Sequence, residues 1–262
     1  MAGRPPAIVQ SFRTTEVPDW IARCLASVRD WAEARGHPYT FVDDALFDRA
    51  PAWYRAKVGH AVLPVSDLAR LMLLREVLVE HPAAAWIDAD VLVFDPDRFH
   101  LPDVPYALSP ERWVFRTKAG QLRAVDQVNN SVMVFARRNP FLEFYIEACQ
   151  TAVRAAGGEV ASHLVGTDLL TDLDRVVPLV KLDSVGMISP ALARDLAADS
   201  DRAPRFYAEG LAQPVRAANL CLSFAGRPDP TQRLRPATFE ATVERLLASR
   251  GEAINRWLPT PG

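Results

Sequence analysis

Residues 86–94, Trp-Ile-Asp-Ala-Asp-Val-Leu-Val-Phe, set two carboxylates one residue apart inside an otherwise apolar, β-prone run. If the run is extended, alternate side chains share a face, so Asp88 and Asp90 point one way and Ala89 the other. Two like charges that close, flanked by apolar residues, repel and lose hydration. A divalent cation turns that liability into a site, because Mg2+ and Mn2+ take hard oxygen ligands. A strand that merely ends in an acidic turn accounts for a lone Asp-X-Asp as well. What precedes the motif decides between the two.

The preceding segments read as a β-α-β opening. Residues 7–12 form a short buried strand. A helix opens at Val17-Pro18-Asp19, carries Trp20, Ile21, Cys24, Leu25, Val28, Trp31 and Ala32 at helical spacing, and stops at Gly36. Residues 39–43 are the second strand, and this order favours a parallel sheet. Residues 44–64 read as an irregular surface excursion bounded by Pro51 and Pro64. A strong helix is predicted over 66–78, with Ser66 as N-cap and Asp67 at the positive end of the helix dipole.

Beyond the Asp-X-Asp run, strands are predicted at 105–108, 113–116 and 129–136, with a polar loop at 118–127. Helices follow at 139–156 and 166–173, then an extended piece at 179–182. Residues 189–210 are weakly patterned, 220–224 read as a last strand, and 239–247 as a closing helix. With no repeat and no linker, residues 1–262 are expected to form a single α/β domain, a mostly parallel central sheet flanked by helices.

A net charge of -2 argues against nucleic acid as a partner, and 49% apolar residues supply a real core. Cys24, Cys149 and Cys221 lie far apart, without zinc-ligand spacing; Cys24 and Cys149 sit in helical apolar patterns and read as packed thiols of a reducing compartment. The five histidines form no ligand cluster. There is no Gly-X-Ser-X-Gly elbow and no phosphate-cradling glycine loop. Residues 1–6 carry one Arg and two prolines, with no long apolar segment after them. The expectation is a cytoplasmic protein without a secretory signal or membrane span, with peripheral membrane contact left open.

Ser66-Asp67-X-X-Arg70, a helix, and then Trp86-Ile87-Asp88-Ala89-Asp90 resemble the DXD-containing glycosyltransferases of the GT-A fold, and within them the family-32-like sugar transferases that include capsular and mannosyl transferases. Ile8-Val9-Gln10-Ser11-Phe12 is similar to that family's start. Asn130-Ser131-Val132-Met133-Val134-Phe135-Ala136-Arg137 is similar to its next block. Gly166-Thr167-Asp168-Leu169-Leu170 stands where relatives carry a Gly-Pro or acidic segment. Two departures are plain. Pro82-Ala83-Ala84-Ala85-Trp86 replaces a Gly-Gly-Ile-Tyr run, and residues 219–227 lack the late His of many relatives.

The resemblance implies a GT-A-like, Rossmann-like fold and a metal-dependent transfer of a hexose from a nucleotide-diphosphate sugar, UDP-hexose first, to a hydroxyl acceptor. That acceptor would be a glycan, a lipid-linked sugar, a small molecule or a protein, and transfer would proceed with retention. The implied cofactor is Mn2+ or Mg2+. Asp90 would be a direct metal ligand, Asp88 would lie nearer the ribose and sugar, partly through the metal shell, and Ser223 or Asn219 would take the place of the late His. Gln10, Ser11 and Phe12 would meet base and ribose, with Trp86 lining that pocket. Arg70 would steady the diphosphate, Asp67 a sugar hydroxyl, and Asn130 the donor sugar or the attacking hydroxyl; Asp168 completes the catalytic set. Spacing alone also allows Asp67–Arg70 as a surface i,i+3 pair, Asn130 as a turn former and Asp168 as a helix-end acid. Two further functions stay open on sequence: a non-catalytic nucleotide-sugar binder of the same fold, and a Mg-dependent phosphotransferase.

Overall fold

A computed structural model describes residues 4–229 and 232–259. In chain order the elements are β1 (Ala7–Ser11), α1 (Asp19–Ala34), β2 (Tyr39–Val42), α2 (Ala52–Val58), α3 (Val62–Val77), β3 (Ala83–Ile87), β4 (Val91–Val93), β5 (Tyr106–Arg116), β6 (Leu122–Ala136), α4 (Pro140–Ala155), α5 (Leu169–Val176), β7 (Val185–Met187), α6 (Pro190–Ala197), α7 (Arg202–Ala208), β8 (Ala217–Asn219), α8 (Pro236–Ser249) and α9 (Glu252–Asn255). A 3-10 turn, Asp44–Arg49, precedes α2, and an irregular turn, Leu164–Asp168, precedes α5.

The strands form a five-stranded sheet in the order β2-β1-β3-β6-β5 and a three-stranded sheet β4-β8-β7. The β2-β1-β3 part is parallel, as the β-α-β reading predicts, and the long β5–β6 hairpin adds an antiparallel part. The pleat sorts the core. Val9, Ala84, Trp86, Met133 and Phe135 pack with α3 and α4 on one face. Their strand neighbours Ile8, Ala85, Ile87, Val132 and Val134 pack with Val28 and Trp31 of α1 on the other. A further core joins α1 to α6 and α8, where Trp20 stacks on Phe239 at 4.2 Å. The result is a mixed α/β domain.

Several local expectations are corrected. Helix α3 starts four residues before Ser66, so Ser66 is not an N-cap. Pro64 is tolerated there because the first-turn N–H groups lack helical partners anyway. The run 86–94 is not one strand: β3 stops at Ile87, and the chain turns over 88–90 into the second sheet. Residues 118–127 are not a loop but mostly the start of β6, reached through a tight turn in which Gly120 takes φ 75°. The segment 44–64 is largely helical, and 189–210 holds α6 and α7. The last strand lies at Ala217–Asn219, with a 3-10 turn at Leu222–Phe224 where a strand was expected. Among the described residues no helix is long and apolar enough to cross a membrane.

Candidate functional site

The carboxyl ends of β1 and β3, α3, the β5–β6 hairpin and the segment after β8 surround a cleft of about 770 Å³. That is within the usual span of about 300–1,000 Å³ for ligand pockets, and it lies where open α/β sheets bind ligands.

Asp88 and Asp90 both line it. They reach it through a turn rather than a pleat, closed by Val91 N–H donating to the Asp88 carbonyl at 3.1 Å. Asp88 Oδ1 accepts from Arg70 Nη1 at 2.9 Å and from Trp86 Nε1 at 2.6 Å. Asp90 receives neutral donors only: Asn219 Nδ2 to Oδ1 and the Leu222 backbone N–H to Oδ2, each at 2.7 Å. Burial pushes both carboxyls above the ordinary carboxylate range. For Asp90, burial and then the adjacent Asp88 charge raise it to about 7.

Helix α3 supplies Asp67 and Arg70, which are buried rather than forming a surface pair. The guanidinium of Arg70 stands 3.2 Å from Asp67, donates to Asp88, and donates to the Asn130 carbonyl at 3.2 Å. Asn130 Nδ2 donates to Asp67 Oδ1 at 2.9 Å. Burial raises the Asp67 carboxyl, with Arg70 and Asn130 pulling it back. The small residue at 166 has a steric reason: a Cβ on Gly166 would sit 2.9 Å from Asp67 Oδ2.

Strand β6 presents Asn129 and Asn130 to the same cleft despite the period of two, because a bulge separates Ser109↔Asn129 from Leu108↔Met133. Within the bulge, Asn129 Oδ1 accepts from Ser131 N–H at 2.6 Å and Ser109 Oγ accepts from Val132 N–H at 3.2 Å.

Ser11, Phe12, Asp168 and Ser223 also line the cleft; Asp168 and Ser223 are exposed, and Ser223 Oγ lies 3.4 Å from Cys221 Sγ. Trp86 contributes to the lining, yet its indole is mostly core and its N–H holds Asp88. Gln10 is the residue that does not join them. It is fully buried beneath the turn, donating to the Asp88 carbonyl at 3.2 Å and accepting from Tyr39 at 3.0 Å. Its geometry positions the turn. Sequence reading missed Glu111, Trp113, Gln127 and Asn129 of the hairpin, and Arg13, His163 and Arg227 on the rim. The signal for the hairpin was the Thr117-Lys118-Ala119-Gly120 turn between two β-prone segments.

The cleft lining includes Asp44, Asp67, Asp88, Asp90, Glu111 and Asp168 against Arg13, Arg70 and Arg227. Among the described residues no three His, Cys, Asp or Glu side chains converge on one metal position. Asp88 and Asp90 give two carboxylates, which fits a cation that takes its remaining ligands from phosphate and water.

No protein-family model matches the chain, and no curated protein matches it. Three solved structures align along most of its length. A glycosyltransferase involved in glycosylation of the major capsid of PBCV-1 is 10% identical, with 92% of this chain and 99% of that one covered, at a TM-score of 0.48. Mouse xyloside xylosyltransferase 1, in its apo form, is 13% identical, with 84% and 98% covered, at 0.44. The galactosyltransferase LgtC, in complex with donor and acceptor sugar analogs, is 14% identical, with 91% and 95% covered, at 0.42. Alignments at these scores assign neither family nor activity.

Proposed function

We propose that the chain is a metal-dependent glycosyltransferase of GT-A type that moves a hexose from a nucleotide-diphosphate sugar, UDP-hexose first, to a hydroxyl acceptor with retention. One observation carries the reading: Asp88 and Asp90 sit together in a ligand-sized cleft at the carboxyl end of β3, where the one arginine paired with these acids, Arg70, is shared between Asp67 and Asp88 and Asp90 is held by neutral donors. A diphosphate entering such an acidic cleft would be repelled unless a cation came with it.

Asp90 and Asp88 would hold Mn2+ or Mg2+, with Ser223 or water beside them. Bound there, the cation would stabilise the negative charge that grows on the leaving diphosphate. The protein's own groups do the rest. Arg70, fixed by Asp67, Asp88, the Asn130 carbonyl and both Ser66 oxygens, adds fixed positive charge beside Asp88 at no cost of reorganisation during reaction. Asp67 and Asn130 meet sugar hydroxyls, their mutual hydrogen bond setting the angle of both. Ser11 and Phe12 meet base and ribose, and Asp168 lines the cleft two residues after Gly166, which packs on Asp67. Gln10 and Trp86 act through Asp88, one on its carbonyl and one on its carboxylate. Front-face transfer asks for no protein nucleophile, since the departing phosphate oxygen takes the acceptor's proton.

Asp90→Asn preserves size and at least one hydrogen bond while removing the charge. It should abolish Mn2+-dependent hydrolysis of UDP-sugars in a coupled UDP-release assay, with circular dichroism unchanged. Undiminished turnover in that variant rejects the site.

A further inference from the structure

The mechanism above uses one wall of the cleft. The other is a single face of the β5–β6 hairpin, where Glu111, Trp113, Gln127 and Asn129 line the same space. Glu111 and Gln127 are direct cross-strand partners, and Trp113 lies two residues along the same strand face as Glu111. Glu111 is buried, yet no cation pairs with it among the described residues. Its one hydrogen bond comes from Asn129 Nδ2 to Oε2, at 2.7 Å. Burying a carboxylate with so little compensation is costly.

Trp113 is half-buried, its ring 5.2 Å from that of Phe224, and its indole N–H makes no hydrogen bond among the described residues. Arg227 stacks 4.7 Å from the Phe224 centroid, and its Nε is buried without a hydrogen-bond partner. The bulge in β6 divides the work of the two walls: Asn130 turns to Asp67, and Asn129 turns to Glu111. An aromatic plate, a carboxylate with accepting capacity and two amides form a surface with both apolar and hydrogen-bonding character. A pyranose ring has the matching pair of features, an apolar C–H face and a rim of hydroxyl donors.

We propose that this hairpin face is a sugar subsite, with Trp113 the plate under a pyranose ring and Glu111 the acceptor of hydrogen bonds from its hydroxyls. It deepens the transferase reading and rests on it only for the role of that sugar, which is the acceptor. The acceptor class is thereby narrowed from any hydroxyl compound to a glycan end or glycoside.

The test titrates the intact protein, by saturation-transfer NMR and calorimetry, with methyl glucoside, methyl galactoside, methyl mannoside, lactose and maltose. At least one should bind without nucleotide. Trp113→Leu, which keeps apolar bulk but removes the plate, and the near-isosteric Glu111→Gln should each weaken it at least tenfold, with melting curves confirming that both variants fold. No binding to the wild type, or variants that bind as tightly as it does, overturns the proposal. A parallel titration with UDP and Mn2+ separates the two readings. Glycoside binding that needs Trp113, in a protein blind to UDP and Mn2+, upholds the subsite and removes the transferase. UDP binding with glycoside binding indifferent to Trp113 does the reverse.

Discussion

Two groups of buried acids and arginines sit in this molecule, and their charge ratios are opposite. Away from the cleft, Asp95 is 2% exposed in its side chain and takes two cations, Arg216 Nη1 on Oδ2 and Arg250 Nη2 on Oδ1, each at 2.7 Å. In the cleft, among the described residues, Arg70 alone forms ion pairs with Asp67 and Asp88, and no cation forms an ion pair with Asp90. The Asp95 cluster joins the end of β4 to the chain near β8 and the end of α8, and its charge is satisfied internally. The cleft cluster is left short of positive charge, as a site that awaits a cationic ligand would be.

The comparison breaks first at Arg70. Removing one member of a buried ion-paired group leaves charges uncompensated, at a cost of about 3–5 kcal/mol. Arg70→Met should therefore lower the urea-unfolding free energy by that amount and eliminate donor turnover. A loss under about 1 kcal/mol would mean that Asp67 and Asp88 are already neutral, and that the cleft is not short of cations.

A second test supplies the missing charge. Mn2+ with UDP at a hundredfold excess over Kd stabilises the folded state by about 2.7 kcal/mol. At about 2–4 °C per kcal/mol for a chain near this size, the melting temperature should rise by roughly 5–11 °C. Neither component alone should reach that shift, and Asp90→Asn should abolish it. An equal rise in Asp90→Asn would move the cation elsewhere.

How much of this was legible in the sequence depends on the kind of signal each segment carries. The helices α1 and α4 announce themselves because each buries one face, and burial writes a period into the apolar residues, while β1 shows as a short apolar run buried on both faces. Asp88 and Asp90 were legible as chemistry but not as geometry. A pleated pair would point into the packed face of the sheet, and the observed turn carries both carboxylates out to the cleft instead. The hairpin was illegible because residues 122–127 are nowhere fully buried and their polarity misreports exposure: Val125 is exposed, whereas Gln127 is half-buried. Helices α6 and α7 are short, and their apolar surface is mostly alanine and proline, although Ser189 caps α6 by accepting from Leu192 N–H at 3.4 Å. Glu111 was hidden for the same reason as its hairpin. A carboxylate among alternating strand residues looks solvent-facing until the wall opposite it is known.

Glu111 also gives the comparison a pH axis. Burial holds its carboxyl above 4.5, against the pull of the Asn129 hydrogen bond. An acid raised in the folded state binds its proton more tightly there than when unfolded. Its contribution is thus fully present at low pH and is lost as pH rises from the unfolded value through the folded one, by at most about 1.4 kcal/mol per pH unit. Glu111→Gln removes that loss. The difference in unfolding free energy between variant and wild type should shift toward the variant from about pH 4.5 upward and then level off. Using the difference cancels Asp67, Asp88 and Asp90, whose raised values carry the same sign. A difference that stays constant with pH would mean that Glu111 has a cationic partner in solution, and the hairpin wall would then resemble Asp95 rather than the cleft acids.

The smallest effect is expected at Arg250. Its side chain is 53% exposed and it shares its charge between Asp95 and Asp97. Exposed pairs are worth about 0–1 kcal/mol, and Arg216 stays on Asp95 when Arg250 is gone. Arg250→Ala should therefore leave the urea midpoint close to that of the wild type and donor turnover at the wild-type rate. The asymmetry with Arg70 is the point of the measurement. A carboxylate with two cations tolerates losing one, whereas two carboxylates that share one do not. If Arg250→Ala were as damaging as Arg70→Met, the two clusters would be equally starved of positive charge, and the acidity of the cleft would no longer single it out as the place where a cation and its diphosphate enter.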